Sequence, residues 1–577
     1  MFQKLKIKSN KVYLFVSLFF GHQIYYSSKS GYHWDDIGYV WSAGRSIQKA
    51  ILSITDFSNP ILDKFIIQEM YGVFVTLPMH IFTRLMIRIE PLVRYAVETP
   101  YFVNEFDFYY FIRHCALNLY VVMMLILIFR ILEKNYSSDL SLWFIIFLTL
   151  YPSFNGHAIF NPMDVPLSLN IFLASTYYLH LFSDKKNFQD ISRKQKSILI
   201  LLLASCILMR VTSVIFLAPL FIFVYSKNIQ QRLFFKININ IFIGVSILYY
   251  FGTPPMWKNP ISYLSQVLAV QFDNPWRGET LTNGNFVKAS DPPASYLSEW
   301  FAYKTPIVFI IFILISFIYF KKVKKMPLWN YSIFIIFYTF TLHAAFSPLT
   351  YNEIRHYLFL IPFFVFLATS GFELIKINSI IKPGLLIIFT LGYLVVTQLP
   401  FDQYKYAYVN EIAPSENISN YCSENINGCG DWLTDYLNIS GKETASMLQN
   451  YEMENLYICS PAFSTTMFMN HEEIEIEDFW IFKDDIPVQN ETSGFKQYKL
   501  IYSDAHFKDA LFNQNITDVY ISSLYYPMET KDLCEFYEIQ EFYNIDCQYV
   551  DSIDRTIRNS SIYFSMLSKC SFTKIAS

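Results

Sequence analysis

At 577 residues, 53% of them hydrophobic and 16% charged, the chain is too apolar for a water-soluble protein, where charged residues make up about 25%. The net charge of -3 conceals an asymmetry, because residues 401–577 hold 28 acidic against 11 basic side chains and leave the first 400 residues strongly basic. A polytopic membrane part followed by an acidic soluble part is expected, and the lack of any basic stripe or nucleic-acid motif argues against a nucleic-acid partner.

In chain order, residues 1–11 are basic and 12–20 apolar, which reads as an uncleaved anchor with a cytoplasmic N-terminus. Apolar runs long enough to span lipid fall near 12–27, 108–131, 140–156, 165–183, 197–209, 211–226, 237–252, 306–320, 328–346, 354–372 and 381–398, about eleven transmembrane helices. The fifth and sixth meet at Arg210 and read as a broken pair. Residues 71–89 are apolar but carry Arg84 and Arg88, so they read as an amphipathic helix on the membrane surface. With that segment not spanning, the basic clusters around Lys4, Lys185, Arg232, Lys321 and Lys376 all lie inside, as the positive-inside bias requires. The same parity sends residues 28–107, residues 253–305 and everything after Pro400 to the outer face.

Two domains follow: a transmembrane domain over 1–399 and an acidic extracytoplasmic domain over 400–577. Six cysteines, Cys422, Cys429, Cys459, Cys534, Cys547 and Cys570, lie in the second, an even number as disulfides in an oxidising compartment require. Asn455–Cys459 and Val519–Ser523 read as short strands, and 440–450 as a helix with Ser440 and Glu443 at capping-box spacing, so a small mixed α/β domain is expected.

Four clusters of ionisable residues in the membrane part bear on chemistry. HWDDIGYVWSAGR, residues 33–45, puts the adjacent carboxylates Asp35 and Asp36 where the chain leaves lipid for water. HAIFNPMDVP, residues 157–166, puts Asp164 at the start of the fourth span. Arg210 lies between spans five and six, and Arg355 and His356 border the tenth. Each has a plainer account: Asp35 caps a helix, Asp164 starts one, and the bases snorkel. Their convergence on one face favours function, since ionisable groups in or beside the bilayer are costly. Transfer of a sugar from a polyprenyl-phosphate carrier needs such a set. A carboxylate takes the acceptor's proton, cations or a metal ion stabilise the departing phosphate, and that phosphate leaves as an anion without an acid to protonate it.

At these residues the sequence resembles the GT-C membrane glycosyltransferases, the class containing protein O-mannosyltransferases and the aminoarabinose transferases of lipid A. It is most similar to bacterial phospholipid-carrier-dependent members. The resemblance rests on Asp35-Asp36 with Tyr39, on the FNPMDVP phrase from Phe160 to Pro166, on the KTP phrase ending at Pro306, on Arg355-His356, and on PFDQYKYAYVN and TDYLNISGKETA after the last span. Met163 stands where relatives carry Lys, and Leu437 and Asn438 where they carry Trp and Gly.

The resemblance implies a polytopic α-helical GT-C fold in the bacterial inner (plasma) membrane and transfer to a glycan, lipid or protein acceptor. It implies a catalytic set of Asp35, Asp36 and Asp164, with Asp35 as general base, Asp36 as its structural or metal-binding neighbour, and Asp164 orienting the acceptor or binding a divalent metal ion. Arg210, Arg355 and His356 are the candidates for the donor phosphate. A transporter or flippase of a lipid-linked glycan and a non-catalytic envelope assembly protein are the alternatives, and Asp35→Asn separates them from the enzyme.

Overall fold

The computed structural model describes residues 2–575 except 32, 34, 65, 66, 71, 90–101, 184–190, 226–230, 273–278, 283, 284, 379–382, 414–434, 452, 454, 459–464, 466, 467, 469–498, 502–510, 512–517, 525–541, 558 and 559. Cys422, Cys429, Cys459 and Cys534 lie outside the described residues.

Among the described residues, each of the eleven apolar runs carries a helix. These are α1 (Phe2–Lys29), α4 (Glu105–Asn135), α5 (Ser138–Thr149) with α6 (Pro152–Phe160), α7 (Asp164–Phe182), α8 (Arg193–Met209), α9 (Ser213–Tyr225), α10 (Gln231–Phe251), α13 (Ile307–Ile318), α14 (Pro327–Phe346), α15 (Ile361–Asn378) and α16 (Pro383–Val396). Of the described residues, four stretches are single helices long and apolar enough to cross a membrane: Phe106–Asn135, Asp164–Phe182, Leu233–Phe251 and Arg355–Ile375. Three bent pairs raise the number to seven. One is α5 with α6, which bend by 68° because Tyr151 is extended and Pro152, opening α6, has no N–H to continue the ladder. The expected break at Arg210 is present, with that residue in an extended conformation between α8 and α9.

Between these lie α2 (Asp36–Thr55), α3 (Thr76–Ile87), α11 (Pro260–Phe272) and α12 (Tyr296–Lys304). Helix α3 occupies the segment read as amphipathic: it buries Thr76, Met79, His80 and Thr83 and exposes Ile81, Phe82 and Leu85. Twelve residues rise about 18 Å, too short for the roughly 30 Å hydrocarbon core.

Packing runs α1 on α4, α4 on α7, α7 on α8 and α13 on α15. Gly371 lets α15 lie against α13, because a Cβ there would stand 1.8 Å from the Phe312 carbonyl oxygen. Gly156 serves α6 in the same way, since its Cβ would meet the Tyr406 backbone nitrogen at 2.3 Å.

The C-terminal part holds a five-stranded mixed sheet in the order β4 (Lys499–Ile501), β3 (Asn455–Ile458), β5 (Asp518–Leu524), β7 (Ser560–Lys574), β6 (Tyr543–Ile557); β1 and β2 are a separate small hairpin, Glu279–Thr282 and Asn285–Lys288. Strands β4, β3 and β5 are parallel, and β5, β7 and β6 antiparallel. The two strands read from sequence are β3 and β5. Cys547 and Cys570 face each other across β6 and β7 and form a disulfide.

The expected capping box at Ser440 does not form. Helix α17 (Gly441–Leu448) starts after Ser440 with no side-chain cap bond, and Glu443 instead accepts from Arg555 Nη2 at 2.8 and 2.9 Å. A charge-assisted pair with a guanidinium outcompetes a neutral backbone amide for the same carboxylate. Lys442 turns the other way and joins Asp107 of α4 at 2.7 Å and the Ser28 carbonyl of α1 at 2.7 Å, which seats α17 on the helical part.

Candidate active site

The turn before α2 orients the first carboxylate. Asp35 occupies the N-cap position, but its side chain makes no capping bond. Its backbone N–H donates to His33 Nδ1 at 2.9 Å, and its carboxylate pairs with Arg355 Nη2. The helix-cap account of Asp35 therefore fails. Burial, then the Arg355 charge, pushes His33 down to about 4, so the ring is neutral and accepts the Asp35 amide. For Asp35 itself, burial pushes upward, but the Arg355 guanidinium outweighs it and holds the carboxyl below its ordinary value.

The second carboxylate sits at the first turn of α7. Asn161 Oδ1 accepts from the backbone N–H groups of Met163 and Asp164 at 3.1 and 2.9 Å, which fixes the turn. Asp164 then meets Arg210 Nη2 at 2.8 Å on one oxygen, and on the other Arg355 Nε at 3.1 Å and Asn161 Nδ2 at 3.0 Å. The break at Arg210 and the 3-10 turn Arg355–Leu360 bring the two guanidinium groups to one carboxylate. A continuous chain results: Arg210, Asp164, Arg355, Asp35. His356 stands beside it, its ring edge-on to Tyr351 at 4.6 Å and within electrostatic reach of Arg210, Arg355 and Asp164.

Five of the six expected residues thus gather at one place. Asp36 goes elsewhere: Oδ1 takes Arg113 Nε of α4 at 3.0 Å, and Oδ2 faces His114 Nε2 at 3.8 Å. Exposure separates the three acids. The Asp35 side chain is 36% exposed, Asp164 4% and Asp36 1%. Asp35 is the carboxylate that solvent or a ligand reaches. Arg355 Nη1 is buried without a hydrogen-bond partner among the described residues, which leaves an N–H donor at the same place.

The donor set does not fit a metal ion as arranged. Both oxygens of Asp164 are taken by guanidinium or amide donors, and among the described residues no three His, Cys, Asp or Glu side chains converge as metal ligands.

Several neighbours escaped the sequence reading. Glu353 and Lys304 form a buried pair at 2.6 Å, and burial pushes Glu353 up to about 7. His157 Nε2 meets the Tyr436 hydroxyl at 2.9 Å. Arg113 carried a usable signal, as a charge inside an apolar run.

The chain resembles the GT-C membrane glycosyltransferases. Residues 69–255 match the family model described as Alg9-like mannosyltransferase family, itself a GT-C family. The matched stretch includes Asp164 and Arg210; Asp35 precedes it and Arg355 follows it. No curated protein matches the chain. Among solved structures, ArnT from Cupriavidus metallidurans in the apo state is similar over 97% of this chain and 98% of its own, at 10% identity and a TM-score of 0.47. The archaeal oligosaccharyltransferase AglB from Archaeoglobus fulgidus, in complex with an inhibitory peptide and a dolichol-phosphate, is similar over 95% of this chain and 74% of its own, at 9% identity and a TM-score of 0.40.

Proposed function

We propose that the protein is an integral membrane glycosyltransferase that moves a sugar from a polyprenyl-phosphate carrier to an acceptor at the extracytoplasmic face. The observation that carries this reading is the chain Arg210, Asp164, Arg355, Asp35, with its one open carboxylate at the end. The acceptor hydroxyl or amine attacks the anomeric carbon and its proton passes to Asp35. The bond from that carbon to the carrier phosphate breaks, and the phosphate leaves with both electrons. Arg355 and Arg210 are placed to hold the negative charge that develops on it. In the free protein Arg355 also holds Asp35 ionised and weakly basic. A donor phosphate that draws Arg355 toward itself raises the basicity of Asp35 when a base is needed.

The eleven-span topology, with a cytoplasmic N-terminus and the 400–577 domain outside in a bacterial inner membrane, belongs to the same proposal. It is supported by convergence. His33, Asn161, Arg210 and Tyr436 come from four segments that charge parity assigns to the outer face, and hydrogen bonds or ion pairs tie them into one connected cluster through Asp35, Arg355, Asp164 and His157.

The test is to incubate membranes containing the protein with a panel of polyprenyl-phosphate sugars, a mannosyl donor first because of the family matched, and to identify which is consumed. Consumption that disappears with Asp35→Asn supports the reading, and an inert panel overturns it.

A further inference from the structure

A buried line of hydrogen bonds reaches the back of Asp164 from the C-terminal part of the chain. Its direction follows from one residue. Two backbone N–H groups point at Asn161 Oδ1, so that atom is the oxygen and Nδ2 is the amide nitrogen with two protons. One proton goes to Asp164 Oδ2 at 3.0 Å, the other to His157 Nδ1 at 3.3 Å. His157 Nδ1 is therefore the unprotonated nitrogen, and Nε2 carries the proton and donates to the Tyr436 oxygen at 2.9 Å. Glu353, held by Lys304 Nζ at 2.6 Å, lies within electrostatic reach of Tyr436. Every member from Tyr436 to Asp164 is at least nine-tenths buried.

This line ends beside Arg355, whose Nε pairs with Asp164. The Asn161 amide gives up no proton at ordinary pH, so the line does not carry protons through to Asp164; what it transmits is position. We propose that Tyr436 is a positioning residue for the reaction: through His157 and Asn161 it fixes the carboxylate of Asp164 and, through that carboxylate, Arg355. The C-terminal domain is then part of the transferase site. This rests on the transferase reading above.

Tyr436→Phe removes only the hydroxyl, and the ring keeps its edge-on packing against Tyr406 at 5.3 Å, so the variant retains the fold. With the full-length protein in nanodiscs and the donor identified by the panel, kcat falls about 10-fold while KM for the donor stays within about twofold, as expected for lost alignment rather than lost binding. His157→Phe has the same effect, and Tyr436→Phe with His157→Phe together cost no more than either alone, since both act through one line. His157→Gln, which can accept from Asn161 and donate to Tyr436, keeps most of the rate. An unchanged kcat in Tyr436→Phe, losses that multiply in the double variant, or equal losses in His157→Gln and His157→Phe overturn the proposal. If the unmodified protein consumes no donor, the transferase reading fails separately, and labelling of Arg355 by phenylglyoxal decides the positioning claim. A severalfold rise in Tyr436→Phe supports it, and equal labelling refutes it.

Discussion

Asp35 and Asp36 are adjacent in the chain, yet their surroundings differ in kind. The turn carrying Asp35 opens outward, and its partner Arg355 is shared with Asp164 and has an N–H to spare. The first turn of α2 points Asp36 inward, onto Arg113 of α4, where both side chains are almost fully enclosed. An open pair can exchange its partner for a ligand; a closed one can only be kept or broken. On the proposed function, two identical residues in one motif divide between chemistry and architecture.

The sharpest way to break that comparison is Asp35→Asn. It keeps shape and hydrogen bonding and removes the base, so transfer falls by about 10²–10⁴-fold. The thermal unfolding of the purified protein stays near that of the unmodified chain. Activity that survives this change would place the base elsewhere.

The closed pair predicts the opposite pattern. Arg113→Met strands the Asp36 carboxylate in an enclosed site, at a cost of about 3–5 kcal/mol. It shows as a lower melting temperature and yield in detergent, while turnover per folded molecule changes little. A stable but inactive Arg113→Met protein would move Asp36 and Arg113 into the reaction.

Which of these features could be read from the sequence follows from how far each interaction reaches. Asp35, Asp164, Arg210 and Arg355 are legible because a charge at the end of an apolar run is conspicuous, and the topology expected from charge parity puts all four on one face. Arg113 carries a signal of the same kind, but it lies inside the 108–131 run rather than at its end, where one charge barely changes the mean hydropathy. Tyr436 and Glu353 carried no local mark, because the partners that define them lie far off in the chain, His157 at 279 residues from Tyr436. The capping box at Ser440 was misread for a related reason: local spacing was right, but Arg555, 112 residues further on, claims Glu443. Each of the eleven apolar runs carries a helix among its described residues, yet hydropathy alone does not register the bends, which come from single residues such as Pro152.

A second pair of acids sharpens the comparison through pH. Arg355 holds Asp35 low, whereas burial pushes Glu353 up to about 7 from an ordinary 4.5. A carboxyl that binds its proton more tightly in the folded chain contributes stability that is full below 4.5 and is lost as pH rises through about 7. Relative to Glu353→Gln, the unmodified protein should therefore lose melting temperature between pH 5 and pH 8. Asp35 has the opposite sign, and its share is lost only as pH falls below the ordinary carboxylate range. A constant offset between the two proteins would mean that Glu353 stays ionised across the window.

The smallest effect is expected where geometry is good but enclosure is missing. Lys258 Nζ lies 2.8 Å from Asp63 Oδ2, a shorter contact than that of Arg113 with Asp36, but the side chains are 18% and 47% exposed. Water solvates both groups before and after folding, and salt screens what attraction remains, so such a pair contributes about 0–1 kcal/mol. Lys258→Met should move the unfolding midpoint by less than that, and addition of salt should erase the difference. Were Lys258→Met as damaging as Arg113→Met, contact distance rather than enclosure would set the cost, and the division drawn between Asp35 and Asp36 would lose its physical basis.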